Sequence, residues 1–255
     1  MLAPARHRLL LEFLNQKGSV RTIEVANYLN VTEETVRRDF EKLEKEGTLL
    51  RAHGGAVRVE APQQETPFKD RATKNAPAKK VIAQAAVHKV SPGQIIFLDA
   101  STTVQQLARL IPDFPLTVLT NSLQIPEFFA NKPAIDVILL GGHLRTSSRS
   151  CVGYPAELTS DLYRIDSAFV SCRGINPQLG LSEATEDQAR LKRHLLNRAS
   201  SLFLLADTSK IEARSTFYFA KNSEIDVWFT EKAPTSAVDL QMKRDGVTIE
   251  IGTES

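Results

Sequence analysis

Apolar positions in the first sixty residues recur at helical spacing, in three blocks. Leu9, Leu10, Phe13 and Leu14 mark one face of a helix over 4–17, which Gly18 stops. Ile23, Ala26 and Leu29 mark the inward face of a second helix over 22–29. Val36, Phe40 and Leu43 mark a third, entered through the tight turn Asn30-Val31-Thr32 and ended by Gly47. Thr32 is its cap, and Glu33 and Glu34 sit at the positive end of its dipole. The period then changes. Residues 48–51 and 56–59 are strand candidates around His53-Gly54-Gly55, which is hairpin chemistry.

After residue 77 the pattern is different again. Short, continuously apolar strands at 95–99, 116–120, 135–140, 166–171, 201–206, 225–230 and 247–251 are interleaved with helices. Helical runs are predicted over 78–89, 104–111, 123–131, 154–163 and 183–200. Strands apolar on both faces and alternating with helices predict an α/β unit, a doubly wound and mostly parallel sheet. Between the two patterns, 60–77 is polar, holds three prolines and has Phe68 as its one large apolar group. The expected organisation is therefore a winged helix-turn-helix over 1–59, a linker over 60–77 and an α/β domain over 78–255.

Charge limits what the first domain does alone. The chain has 255 residues and a formal net charge of +2. Residues 1–60 hold ten basic and nine acidic side chains, a net of +1. Nucleic-acid binding then rests on local placement and on two copies side by side, not on bulk charge. Cys151 and Cys172 exclude a disulfide framework, suit a reducing cytoplasm and lack the spacing of a zinc site, so no metal is expected. The start, MLAPARHRLLLEFL, reads as helix and not as a signal peptide, because Glu12 breaks its apolar run. No apolar run approaches the roughly 18–20 residues that span a bilayer, so no membrane partner is expected.

A third helix docked by its Val36 face offers Glu34, Thr35, Arg37 and Arg38 outward from its first turns, where a recognition helix meets base edges. Arginine suits guanine or phosphate, and glutamate accepts from cytosine. An ordinary exposed face, with Glu34–Arg38 paired along the helix, explains the same residues; the hairpin that follows favours the DNA reading. With the wing, the candidate DNA-facing set is Thr22, Thr32, Glu34, Thr35, Arg37, Arg38, Arg51, His53 and Gly54.

In open α/β sheets ligands sit outside the carboxyl ends of the strands. There the sequence places Asp99-Ala100-Ser101-Thr102-Thr103, Thr120-Asn121-Ser122, Gly141-Gly142-His143-Leu144-Arg145, Ser171-Cys172-Arg173 and Asp207-Thr208-Ser209-Lys210. Three hydroxyls at a helix N-terminus suit a phosphate, although ordinary capping needs only one of them. Neither a G-x-G-x-x-G run nor a Walker loop occurs, so neither a dinucleotide nor a nucleotide cofactor is indicated.

The run EETVRRDFEKLEKEGTLLRAHGGAV closely resembles the signature of the DeoR-type bacterial transcription regulators. The later blocks DASTT, TNS, GGHLR, FVSCRGI, GLSEATEDQARLKR and ADTSK resemble, in the same order, that family's sensor domain. The resemblance implies a sensor related in fold to ribose-5-phosphate isomerases, a homo-oligomer (dimer or tetramer), and a repressor of carbohydrate genes. Its partners would be double-stranded operator DNA and a phosphorylated sugar effector. Ser101, Thr102, Thr103 and Lys210 match positions that hold phosphate in that fold. Asp99, Asn121, Gly142, Arg145, Gly153, Glu183 and Lys192 fall in its pocket blocks. Arg173 stands where the isomerases carry an acid, and arginine cannot accept a proton. That favours binding without turnover and no catalytic residue. The alternatives are a sugar-phosphate isomerase with an accessory DNA-binding head, using carboxylates from Asp99, Glu183, Glu186 and Asp187, and a DNA-binding protein whose C-terminal domain only oligomerises.

Overall fold

The computed structural model describes residues 3–17, 19–45, 48–52, 54–58, 65–211, 213 and 215–253. The chain divides into two units, Met1–Pro62 and Gln63–Ser255.

In the first unit, α1 (Ala3–Lys17), α2 (Thr22–Leu29) and α3 (Glu33–Lys45) pack around Leu10, Leu14, Val25, Val36, Phe40 and Leu43. Asn30 takes a left-handed φ of 52°, which ends α2 and turns the chain into α3. The Thr32 hydroxyl accepts from the Thr35 N–H at 3.3 Å, as a cap does. Ile23 is exposed and Val25 takes the inward place. The reason is Thr22. It is buried, with its N–H and hydroxyl donating to Gly54 O at 2.9 and 3.0 Å, and this rotates the face that α2 buries. The wing has one strand more than the sequence pattern shows: β1 (Ser19–Arg21) pairs with β3 (Gly55–Arg58), which pairs with β2 (Leu49–Ala52). Gly55 permits that approach, because a Cβ there would lie 2.1 Å from Val20 O.

The second unit is built on a parallel sheet. Its strands are β4 (Ile95–Leu98), β5 (Leu116–Thr120), β6 (Ile135–Leu139), β9 (Ile165–Val170), β12 (Ala199–Leu205), β14 (Val227–Thr230) and β15 (Thr248–Ile251). They lie in the order β15-β14-β12-β9-β4-β5-β6. Alternate residues of one strand serve opposite faces. Ile96 and Leu98 join the core under α5 (Ala76–Ala86), α6 (Thr102–Leu110) and α7 (Ile125–Phe129). Phe97 joins the core under α8 (Tyr154–Ser160), α9 (Glu186–Leu196) and α10 (Ser236–Arg244). The order steps one way from β4 through β5 to β6 and the other way from β9 to β15, so β4 and β9 flank the switch point.

Two features lie outside the predicted pattern. A hairpin of β7 (His143–Arg145) and β8 (Ser150–Val152) follows β6, and β10 (Gly174–Asn176), β11 (Gly180–Glu183) and β13 (Phe217–Ala220) form a small antiparallel sheet. Glu183 therefore ends a strand, and the helix expected from that residue begins at Glu186. The described end of the expected linker is also structured. Residues 68–73 form α4 (Phe68–Thr73), fastened within the second unit by Phe68 N–H to Ser147 O at 2.8 Å.

Candidate functional site

On α3, Glu34, Arg37 and Arg38 are exposed while Val36, Asp39 and Phe40 are buried, so the helix presents the predicted face. The arginines are held one turn back, Arg37 to Glu33 at 3.1 Å and Arg38 to Glu34 at 3.2 Å. Exposed pairs of this kind contribute only about 0.3–0.5 kcal/mol, so a phosphate or a guanine edge displaces the glutamate readily. Thr35 shares a hydrogen bond with Thr32, 2.9 Å between hydroxyls. Arg51 on the wing pairs with Glu41 at 2.9 Å, and its N–H donates to Glu44, which ties β2 to α3. Thr22 is not a surface residue: its hydroxyl is spent on the Gly54 carbonyl and holds the wing's turn. His53 lies outside the described residues.

Beneath this face Asp39 fixes α3 to α1. Its carboxylate accepts from Arg6 Nε at 2.5 Å and Nη2 at 2.9 Å, and lies 2.9 Å from His7 Nε2. Burial pushes the Asp39 pKa up, but the bonds from Arg6 and His7 outweigh it and hold the group below its ordinary value.

A cavity opens at the carboxyl ends of β4 and β9, at the switch point. It measures about 150 Å³, against the ~10–15 Å³ that holds one water, so a small polar molecule fits. Of the predicted ligand residues, Asp99, Ser101, Thr102, Thr103, Arg173, Glu183, Lys192 and Lys210 line it. Ser101 caps α6, its hydroxyl accepting from Val104 N–H at 3.2 Å, and Thr102 and Thr103 open the helix toward the same space.

Lys192 is the buried charge at the cavity's base. Its Nζ lies 2.7 Å from Asp99 Oδ2 and 2.5 Å from Glu183 Oε1, and donates to Ser171 O at 2.6 Å. Burial disfavours the ammonium, yet the two carboxylates overcome it and raise the pKa above its ordinary value. Asp99 is fully engaged. Oδ1 accepts from Ser101 N–H at 2.9 Å, and Oδ2 accepts from Ser171 N–H at 2.8 Å besides Lys192. A carboxylate so occupied orients the loops around it and is poorly placed to take a proton from a sugar carbon.

Asn121, Gly142, Arg145 and Gly153 do not line the cavity. Asn121 is buried and donates to Cys151 O at 3.1 Å. Gly142 packs so tightly on the hairpin that a Cβ would lie 2.6 Å from Val152 O. Gly153 starts α8 with a φ of 94°. Arg145 is turned to Asp187 on α9. These four shape and anchor the β7–β8 hairpin.

A further wall, at none of the strand ends, is formed by Glu65, Thr66, Arg71, Lys74, Asn75 and Lys79. Lys79 is 5% exposed and its ammonium rests on Arg71 O. Burial lowers its pKa to about 8, and the positive charges of Lys210, Arg71 and Lys74 add to this against Asp207. Asn75 Nδ2 donates to Asp207 Oδ1 at 3.0 Å and to Ser209 Oγ at 3.1 Å, closing this wall onto the loop after β12. The available signal was Lys79 itself, a lysine on the face that α5 buries.

Two family models match the chain. The DeoR-like helix-turn-helix domain matches residues 6–61, and the DeoR C terminal sensor domain matches residues 74–232. The uncharacterized HTH-type transcriptional regulator YulB of Bacillus subtilis is 38% identical over 250 residues, 97% of each chain. The L-fucose operon activator of Haemophilus influenzae is 35% identical over 228 residues, 89% of this chain and 92% of that one. The HTH-type transcriptional repressor GlcR of Bacillus subtilis is 31% identical over 240 residues, 94% and 93% of the two chains.

Proposed function

The chain belongs to the DeoR family of DNA-binding transcription regulators, and on that premise we propose that it is a repressor released by a phosphorylated sugar or sugar derivative bound at the switch-point cavity. The observation that carries the reading is the union, in one cavity, of a hydroxyl-rich helix start with the lysines Lys79 and Lys210, which no carboxylate pairs among the described residues. Ser101, Thr102, Thr103, Lys79 and Lys210 hold the phosphate. Asp99, Glu183 and Lys192, already locked to one another, present a fixed polar floor to the sugar hydroxyls, and Arg173 flanks it. The saturated Asp99 argues for binding without isomerisation. The first unit reads operator DNA with Glu34, Thr35, Arg37 and Arg38, in the cytoplasm and as a dimer or tetramer, because its net charge of about +1 gives one copy little affinity. Operator and effector then oppose each other by a coupling free energy that acts equally on both.

The test is fluorescence anisotropy with a duplex selected by the full chain from a random-sequence pool. Pentose and hexose phosphates are expected to release it. Ser101→Glu should abolish the release by placing a negative charge where the phosphate binds, while operator affinity stays. Loss of the Ser101 cap costs about 1 kcal/mol, which leaves the fold intact. Release that survives Ser101→Glu would move the phosphate elsewhere.

Lys79 adds a pH signature. A bound phosphate favours its ammonium, so binding above about pH 8 takes up a proton. Calorimetric affinity should be level below that value and weaken as pH rises through it, by up to about tenfold per pH unit. Lys79→Met should flatten the profile. A wild-type affinity unchanged from pH 7 to 9.5 would remove Lys79 from the site.

A further inference from the structure

α4 is held in an unusual way. None of its side chains is fully buried, and its one large apolar group, the half-buried Phe68 ring, lies under the Arg149 guanidinium, 5.2 Å from the ring centroid. The helix hangs on polar ties at its two ends. At the start, Phe68 N–H donates to Ser147 O at 2.8 Å and Ser147 Oγ donates to Glu65 Oε2 at 2.6 Å. In its last turn, the Arg71 carbonyl accepts from the Thr102 hydroxyl at 3.3 Å and from the Lys79 ammonium. Both donors, Thr102 and Lys79, belong to the proposed phosphate-binding set. The residue they hold also carries a guanidinium that lines the cavity. Arg71 Nε donates to Thr66 O at 3.0 Å, but Nη2 is buried with no hydrogen-bond partner. A buried, charged donor without an acceptor is a costly arrangement, and an anion in the cavity is the group that relieves it.

We propose that Arg71 is an effector-binding residue and that α4 is a strap which the bound phosphate fastens, so that occupancy of the cavity is reported by the segment following the DNA-binding unit in sequence. The inference rests on the sugar-phosphate reading of the cavity. Three groups at one place change together when phosphate binds. Arg71 Nη2 gains an acceptor. Lys79, with three N–H donors, bridges the phosphate and the Arg71 carbonyl. Thr102 exchanges between the same two acceptors. α4 then gains, through the free edge of the Arg71 side chain, a tie that it lacks when the cavity is empty. In the sequence α4 lies shortly after the DNA-binding unit. Arginine is the suitable residue, since its planar fork lets Nε stay on Thr66 O while Nη2 takes the phosphate in one fixed geometry, which the single point donor of a lysine does not reproduce.

The experiment uses the full chain and three probes: a pentose 5-phosphate, a hexose 6-phosphate and inorganic phosphate. Hydrogen exchange of amides 68–74 is followed alongside operator release. In the wild type, saturation with a sugar phosphate that binds should slow exchange in α4. Arg71→Gln should weaken that ligand by about tenfold or more. At saturating ligand it should still leave α4 exchanging freely and the operator bound. Arg71→Lys, which keeps the charge and loses the fork, should recover affinity without recovering α4 protection. Binding with unchanged exchange in α4, or normal release by Arg71→Gln, overturns the strap and leaves the sensor reading standing. A wild type that binds none of the three probes overturns both.

Discussion

Lys192→Met is expected to lower the stability of the second unit by about 3–5 kcal/mol, the usual result of breaking a buried ion pair from one side. The lysine is locked between Asp99 and Glu183 at 2.7 and 2.5 Å. Methionine fills much of the volume but leaves two carboxylates facing each other with nothing between them. For a unit of this size each kcal/mol moves Tm by about 2–4 °C, so a fall of about 6–20 °C is expected. Trp228, the chain's one tryptophan, is buried in the same unit and reports the melt by fluorescence. The pH dependence has a definite sign. In the wild type the Lys192 pKa is raised, so the stability it gives is complete below the unfolded value and is lost only as pH rises through the folded one, beyond the ordinary working range. A Tm within about 2 °C of wild type at pH 7 would mean that the three groups are not coupled.

Those three residues also show what was legible beforehand. The central parallel strands are short apolar runs buried on both faces, a local signal, so the sheet was readable and with it the loops at its carboxyl ends. Asp99, Ser101, Thr102, Thr103 and Lys210 follow directly from that rule. Glu183 and Lys192 joined them by resemblance, and the helix expected over 183–200 starts three residues later, because the small antiparallel sheet that claims Glu183 depends on a partner strand over 217–220. Arg145 failed for the opposite reason. It does follow a strand end, but the hairpin it belongs to turns its side chain to Asp187. The wall from Glu65 to Lys79 was hidden most deeply. Its composition is that of a linker, and only partners far along the chain give it structure, such as Asp207 for Asn75 and Ser147 for Phe68. Polar segments fastened at long range carry no periodicity to read. Thr22 is a small case of the same kind, a polar residue buried because a distant carbonyl at Gly54 accepts from it.

The first unit should depend as strongly on Asp39. Asp39→Asn keeps the shape and removes the charge that Arg6 and His7 share, and the expected loss is about 3 kcal/mol, the lower end for a buried pair, because Arg6 keeps some exposure to water. Units of about sixty residues have little stability in reserve, so much of this one should be unfolded at 37 °C while the Trp228 melt of the second unit is unchanged. Operator affinity should fall with the folded fraction and return on cooling to about 15 °C, where such units are near their most stable. In the wild type the same carboxylate sets an acid limit. Its pKa is depressed, so its contribution is present above the unfolded value and disappears as pH falls through the folded one, which puts acid unfolding of the first unit below about pH 4. Proteolysis within 3–58 follows the unit directly. Cleavage and operator binding equal to wild type would show that Asp39 does not hold α3. Weak operator binding with α3 still protected would instead give Asp39 a role in orienting Arg37 and Arg38, and cooling would then restore nothing.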